Sequence, residues 1–218
     1  FPTLAALFVS GERARFVELV RTTSRYIIFF SLPLVALFVV LRAHIVRVIL
    51  GSGQFTWQDT RLTAAALAMF VFSLAAQGLI LIFTRARYAA GNTRASFYIN
   101  IFSVGVTVIA SYGLTNLFTT SASFRLFIET IFRVRDIPGT EVLMLPLAFS
   151  IGSICAILIH IFTFGRAYEQ VGEVGESDGI ARSLGRITLK MTSVGLFMGF
   201  VTYVMLNVTD QLFALDTF

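Results

Sequence analysis

Arg85, Arg87 and Arg94 crowd one short polar segment between two long apolar runs, and they are the side chains best suited to hold a ligand. A planar guanidinium fork matches a pair of phosphate oxygens, so these arginines are candidate contacts to a diphosphate. The same groups also suit the simpler task of anchoring helix ends at lipid headgroups. Between them stands Gly91-Asn92-Thr93, the pattern of a helix C-cap followed by a turn. Its functional version is a hinge about Asn92 that lets two helices rock.

Polar residues inside apolar runs form the second group, because lipid penalises them unless they find partners or face a cavity. They are Gln77, Asn100, Asn116, His160 and Asn207, with Ser73, Ser103, Ser150 and Ser153. Most are expected to join helices to one another, at about 0.6 kcal/mol per bond. Gln77, deep in its run, is the candidate for a cavity position; Asn100 lies near the end of its own. His160 is expected to be hydrogen-bonded at a helix end, with a proton switch as the alternative. No carboxylate lies in the interior of an apolar run, and there is no HExxH, no Ser/His/Asp set in plausible register and no phosphate-cradling glycine loop. No enzyme is expected. A single cysteine, Cys155, and two distant histidines exclude an intramolecular disulfide and offer no metal spacing, so no metal or cofactor is expected.

The elements that must position these residues follow from composition. Hydrophobic residues make up 56% of the chain, charged residues 13%, and the mean hydropathy is +0.83. A soluble domain is roughly a quarter charged, so lipid is the expected solvent. Five runs reach spanning length: approximately Tyr26–Leu41, Leu62–Phe83, Phe97–Phe118, Val142–Phe164 and Met191–Val208. Backbone groups facing lipid must be satisfied within the segment, so each run is read as a helix. The fold class is all-α, a polytopic transmembrane bundle of about five spans with short interfacial helices. The first span is short unless Arg42 snorkels or the helix bends at Pro33.

Three connections are expected to carry structure. Ser10 is read as the cap of a short amphipathic helix bearing Phe16, Leu19 and Val20. His44–Leu50 and Leu126–Val134 are read as short interfacial helices, and Thr56-Trp57-Gln58-Asp59 as a capping box opening the second span. Residues 1–9 finish a preceding helix, and both ends of the sequence look like those of an internal fragment. The expected organisation is 1–170 as one helical block, 171–187 as a flexible linker, and 188–218 as an additional span.

The net charge of +5 is spread unevenly between the connections. Loops 10–25, 84–96 and 165–190 hold eleven of the seventeen Lys and Arg residues, and loops 42–61 and 119–141 hold six. By the positive-inside rule the first set faces the cytoplasm. Bases interleaved with apolar runs fit a membrane surface and not a nucleic acid.

The stretch Phe83-Thr84-Arg85-Ala86-Arg87-Tyr88-Ala89-Ala90-Gly91-Asn92-Thr93-Arg94 resembles a loop of the MurJ/MviN lipid II flippases, within the superfamily of multidrug, oligosaccharidyl-lipid and polysaccharide exporters. Phe1-Pro2-Thr3-Leu4, Ile45–Gly51, and Phe55–Thr60 with Leu62–Leu67 are similar to further stretches of that family, in its order and spacing. Beyond Asn100 the hydropathy layout alone carries the likeness. The chain departs from the family where Ala95-Ser96 replaces Thr-Pro and where Arg87 stands in place of an aromatic.

The resemblance implies a C-terminal-half fragment of a fourteen-helix transporter in the bacterial inner membrane, working by alternating access. It implies membrane lipid, an undecaprenyl-linked precursor as cargo and the N-terminal lobe of the same protein as partners, with no nucleic acid. It also implies that the last span, with Gly195 and Gly199 on one face, borders a groove for the lipid tail; simple helix packing is the plainer reading. The alternatives are an exporter of polysaccharide precursors or drugs, and a non-transporting scaffold acting through basic loops.

Overall fold

The computed structural model describes residues 2–51, 53, 55–168 and 179–213. Among these residues seven α-helices follow one another: α1 (Pro2–Val9), α2 (Arg13–Leu50), α3 (Trp57–Ala89), α4 (Thr93–Thr120), α5 (Ala122–Phe132), α6 (Met144–Tyr168) and α7 (Ile180–Phe213). A 3-10 turn over Thr140–Leu143 leads into α6, and no strand occurs among the described residues. Five helices among the described residues are long and apolar enough to cross a membrane, and each contains one of the five expected runs.

The helices outgrow those runs. The expected amphipathic helix, first span and His44–Leu50 helix are one continuous α2 of 38 residues, about 57 Å long at 1.5 Å per residue. Neither Arg25 nor Arg42-Ala43-His44 breaks a helix, since charge does not interrupt backbone hydrogen bonding. Pro33 is accommodated inside it. The expected cap at Ser10 is also corrected. Glu12 occupies the N-cap of α2 without a side-chain capping bond, its carboxylate accepting from Arg15 at 2.7 Å instead, and the Ser10 hydroxyl donates back to the Leu7 carbonyl at 3.1 Å.

Other local signals are realised. The Thr56 hydroxyl accepts from the Asp59 N–H at 3.2 Å, and the Asp59 carboxylate accepts from the Thr56 N–H at 2.9 Å, closing the capping box. The expected helix at Leu126–Val134 is α5, which starts earlier because Ser121 caps it at the Phe124 N–H. Of the expected linker, 171–178 lies outside the described residues, while 180–187 forms the first turns of α7.

Packing order departs from chain order. α7 packs on α2, α2 on α3, α3 on α6, and α6 on α4, so the spans form a row. α3 and α4 share a tight turn yet touch little, because α6 lies between them. Half of the most apolar stretch of α6 is buried, against 6% for α4, which makes α6 the centre of its side and α4 the rim. One apolar core gathers Phe16, Val20, Phe83, Ala86, Phe164 and Ile180 where α2 and α7 begin and α3 and α6 end. A second, at the opposite end, gathers Ala65, Met69, Phe118, Ile128, Leu143 and Met144.

Candidate functional site

The turn between α3 and α4 is built as its residues dictate. Gly91 takes φ +72°, a left-handed conformation that a side chain would strain. The Asn92 N–H donates to the Arg87 carbonyl at 2.9 Å, and its side-chain oxygen accepts from the Ala95 N–H at 3.4 Å. Asn92 is thus the N-cap of α4. Arg85 and Arg94 flank the turn and are exposed.

Arg87 is elsewhere. It is 1% exposed, the largest fully buried side chain among the described residues. Its Nη2 donates to the His160 carbonyl at 3.3 Å and to the Thr163 hydroxyl, both on α6. Of the three arginines that crowd this segment in the sequence, two are exposed and the third is held between helices. The signal was present in the sequence, since Arg87 continues the stripe of Ala76, Leu79 and Phe83, all buried. An arginine's type outweighed its position.

His160 is also corrected. Its ring is 0% exposed and neither ring nitrogen has a hydrogen-bond partner among the described residues, while its backbone carbonyl accepts from Arg87.

Gln77 lies twelve residues before the end of α3, about 18 Å along the helix from that end. Its amide nitrogen donates to the Ser153 hydroxyl on α6 at 2.9 Å. It lines a groove of about 300 Å³ between α3 and α4, with Asn100, Ser103, Thr107 and Ser153 as the other polar members and Ile80, Val104, Val108, Phe149 and Ala156 as apolar walls. Gln77 and Asn100, from different depths of their own runs, therefore meet at one groove. On its floor Ser103 donates to the Gly152 carbonyl at 3.1 Å and Thr107 to the Ser103 carbonyl at 2.9 Å. Gly152 permits this closeness: a Cβ there would fall 2.0 Å from the Thr107 hydroxyl.

Along the seam between α3 and α6, the Ser150 hydroxyl also donates to the Met69 carbonyl at 2.6 Å. At the far end, Arg61 of α3 donates to the Arg133 carbonyl that closes α5. Gly195 and Gly199 of α7 face α2, where a Cβ would lie 3.5 Å and 3.7 Å from the Ala36 methyl. In this arrangement they serve helix packing. No group of three or more His, Cys, Asp or Glu residues among those described could hold a metal ion.

Comparison with known proteins supplies what this geometry leaves open. A family profile described as "Lipid II flippase MurJ" matches residues 1–218. No curated protein matches the chain. A solved structure titled "Lipid II flippase MurJ, inward closed conformation" superposes with a TM-score of 0.56 at 17% sequence identity, covering 95% of this chain and 41% of that one. Likeness at that identity is one of fold, and the chain spans about two fifths of that protein's length. With the profile matching from the first residue to the last, this chain belongs to the MurJ lipid II flippase family.

Proposed function

We propose that the chain is the C-terminal part of a lipid II flippase that moves an undecaprenyl-linked peptidoglycan precursor across the inner membrane by alternating access. The observation that carries this reading is the family match over every residue, on a chain whose spans assemble into a transporter-like bundle. Alternating access needs a lobe that moves against a second one. The row α7–α2–α3–α6–α4, tied by Gln77–Ser153 and Ser150–Met69, is suited to be such a body.

In this reading the ends carrying Arg13, Arg85, Arg94 and Arg182 face the cytoplasm, which the excess of basic residues on that side supports. Arg85 and Arg94, exposed beside a glycine turn, are placed to meet an anionic headgroup there. Arg87 does not share that role. The groove at Gln77 and Asn100 offers amide groups at membrane depth, where a polar segment of cargo or of the remaining lobe finds hydrogen bonds that lipid cannot supply.

Depletion of the full-length protein in its host tests the assignment. Accumulation of lipid II on the cytoplasmic side, followed by lysis, is expected. Normal wall synthesis with loss of a surface polysaccharide instead would move the assignment to an exporter of polysaccharide precursors.

A further inference from the structure

We infer that Arg87 is a built-in spring: its buried charge makes the α3–α6 seam openable at one end, so that this end alternates between a closed and a hydrated state. The inference rests on the alternating-access reading above. Its physical basis is an imbalance along a single interface.

In the middle of the seam, neutral hydrogen bonds pin the two helices, from Gln77 to Ser153 and from Ser150 to the Met69 carbonyl. The end near Arg87 is different. Two opposing terms meet there. Phe83 and Phe164, both 0% exposed, stack edge-on with centroids 5.2 Å apart and favour closure. Beside them the Arg87 guanidinium is sealed from water with only neutral oxygens for partners, and its Nε bonds to nothing among the described residues. No carboxylate among the described residues lies within ion-pair distance of it. The His160 ring, fully buried on the facing helix, also has both nitrogens unpartnered.

Removing a charge from water is costly unless a counter-charge compensates. Separation of the helix ends would let water reach the guanidinium and recover that cost, at the expense of apolar contact between the phenylalanines. Two packings whose energies are close make a bistable element. The pins at Gln77 and Ser150 would serve as the pivot. An ordinary structural clamp differs in one respect: it favours the closed state only.

The test uses full-length protein in detergent, with Cys155→Ser and the fully buried Ala86→Cys as a reporter thiol beside the seam. Arg87→Met fills the site without charge. A spring predicts that this variant melts higher than the parent, by roughly 3 °C or more. It also predicts that the reporter thiol reacts with maleimide roughly fivefold or more slowly, and that flipping of lipid II falls. Arg87→Lys retains the charge and should keep the parental labelling rate. A melting temperature that is unchanged or lower in Arg87→Met, or failure of both Arg87→Met and Arg87→Leu to accumulate in the membrane, overturns the inference in favour of a plain clamp. Melting and labelling do not involve cargo. Absence of lipid II flipping by the parent would therefore remove the flippase reading and leave this one to stand on its own measurements.

Discussion

Gln77 of α3 and Ser153 of α6 share a hydrogen bond of 2.9 Å in the middle of the bundle, beside a groove that Asn100 also lines. The bond does two things at once. It satisfies the serine hydroxyl, which itself donates to the Phe149 carbonyl at 2.8 Å, and it holds the glutamine amide along the groove wall. In lipid such bonds average about 0.6 kcal/mol and reach about 1.7 kcal/mol, because the separated helices also find partners. A double-mutant cycle with Gln77→Ala and Ser153→Ala, read by unfolding of the full-length protein in mixed micelles, should return a coupling within that range. Strict additivity would mean that the two groups do not meet in the membrane.

Gly152 sets how closely α4 approaches α6. A methyl group added there would lie 2.0 Å from the Thr107 hydroxyl, 3.2 Å from its Cβ and 3.3 Å from the Ser103 carbonyl. Gly152→Ala must push the helices apart, at a cost of about 1–3 kcal/mol for overpacking a fitted interface. Thr107→Ala removes the hydroxyl that clashes, so the pair Gly152→Ala/Thr107→Ala should regain part of the loss. Thermal unfolding of the three variants measures this. A Gly152→Ala variant as stable as its parent would show that the two helices are not held at this distance.

At the start of α3, Thr56 and Asp59 satisfy each other's backbone N–H groups. Thr56→Ala should weaken the first turn by about 1 kcal/mol. The expected readout is roughly fivefold faster hydrogen exchange of the amides of the first turn, with the middle of α3 unchanged. Faster exchange along the whole helix would mean that the cap supports the bundle and not only the turn.

The signals that could be read from the sequence were local and repeated. Five apolar runs, the Thr56–Asp59 box, the Gly91 turn and the α5 helix each depend on residues within a few positions of one another. Where α2 begins and ends was harder, because arginines at positions 25 and 42 look like loop residues but are good helix formers. The burial of Arg87 and the order α7–α2–α3–α6–α4 depend on contacts between residues far apart in the chain, such as Ser103 with Gly152, 49 positions away, and Arg87 with Thr163, 76 positions away. The groove is the clearest case. Gln77, Asn100 and Ser153 each looked like an isolated polar residue, and α6 brings them together by wedging between two helices that are adjacent in sequence.

Arg85 and Arg125 separate the two readings of exposed basic residues. Both side chains are exposed, Arg85 one turn before the glycine turn and Arg125 on α5 at the opposite end of the bundle. If Arg85 meets an anionic headgroup, Arg85→Ala should reduce complementation of a depleted strain more than Arg125→Ala, at matched membrane levels. If both merely anchor helix ends, each loses no more than a surface contact, on the order of 1 kcal/mol, and the two variants should behave alike. Sidedness must be measured in the same strains for the comparison to bear on cargo. In a Cys155→Ser background, Thr93→Cys should react with an impermeant maleimide only after the inner membrane is opened, and Ser123→Cys should react in intact spheroplasts. The reverse pattern would turn the bundle over, place the Arg85 end outside the cell, and make loading of a cytoplasmic precursor at Arg85 impossible whatever the complementation result.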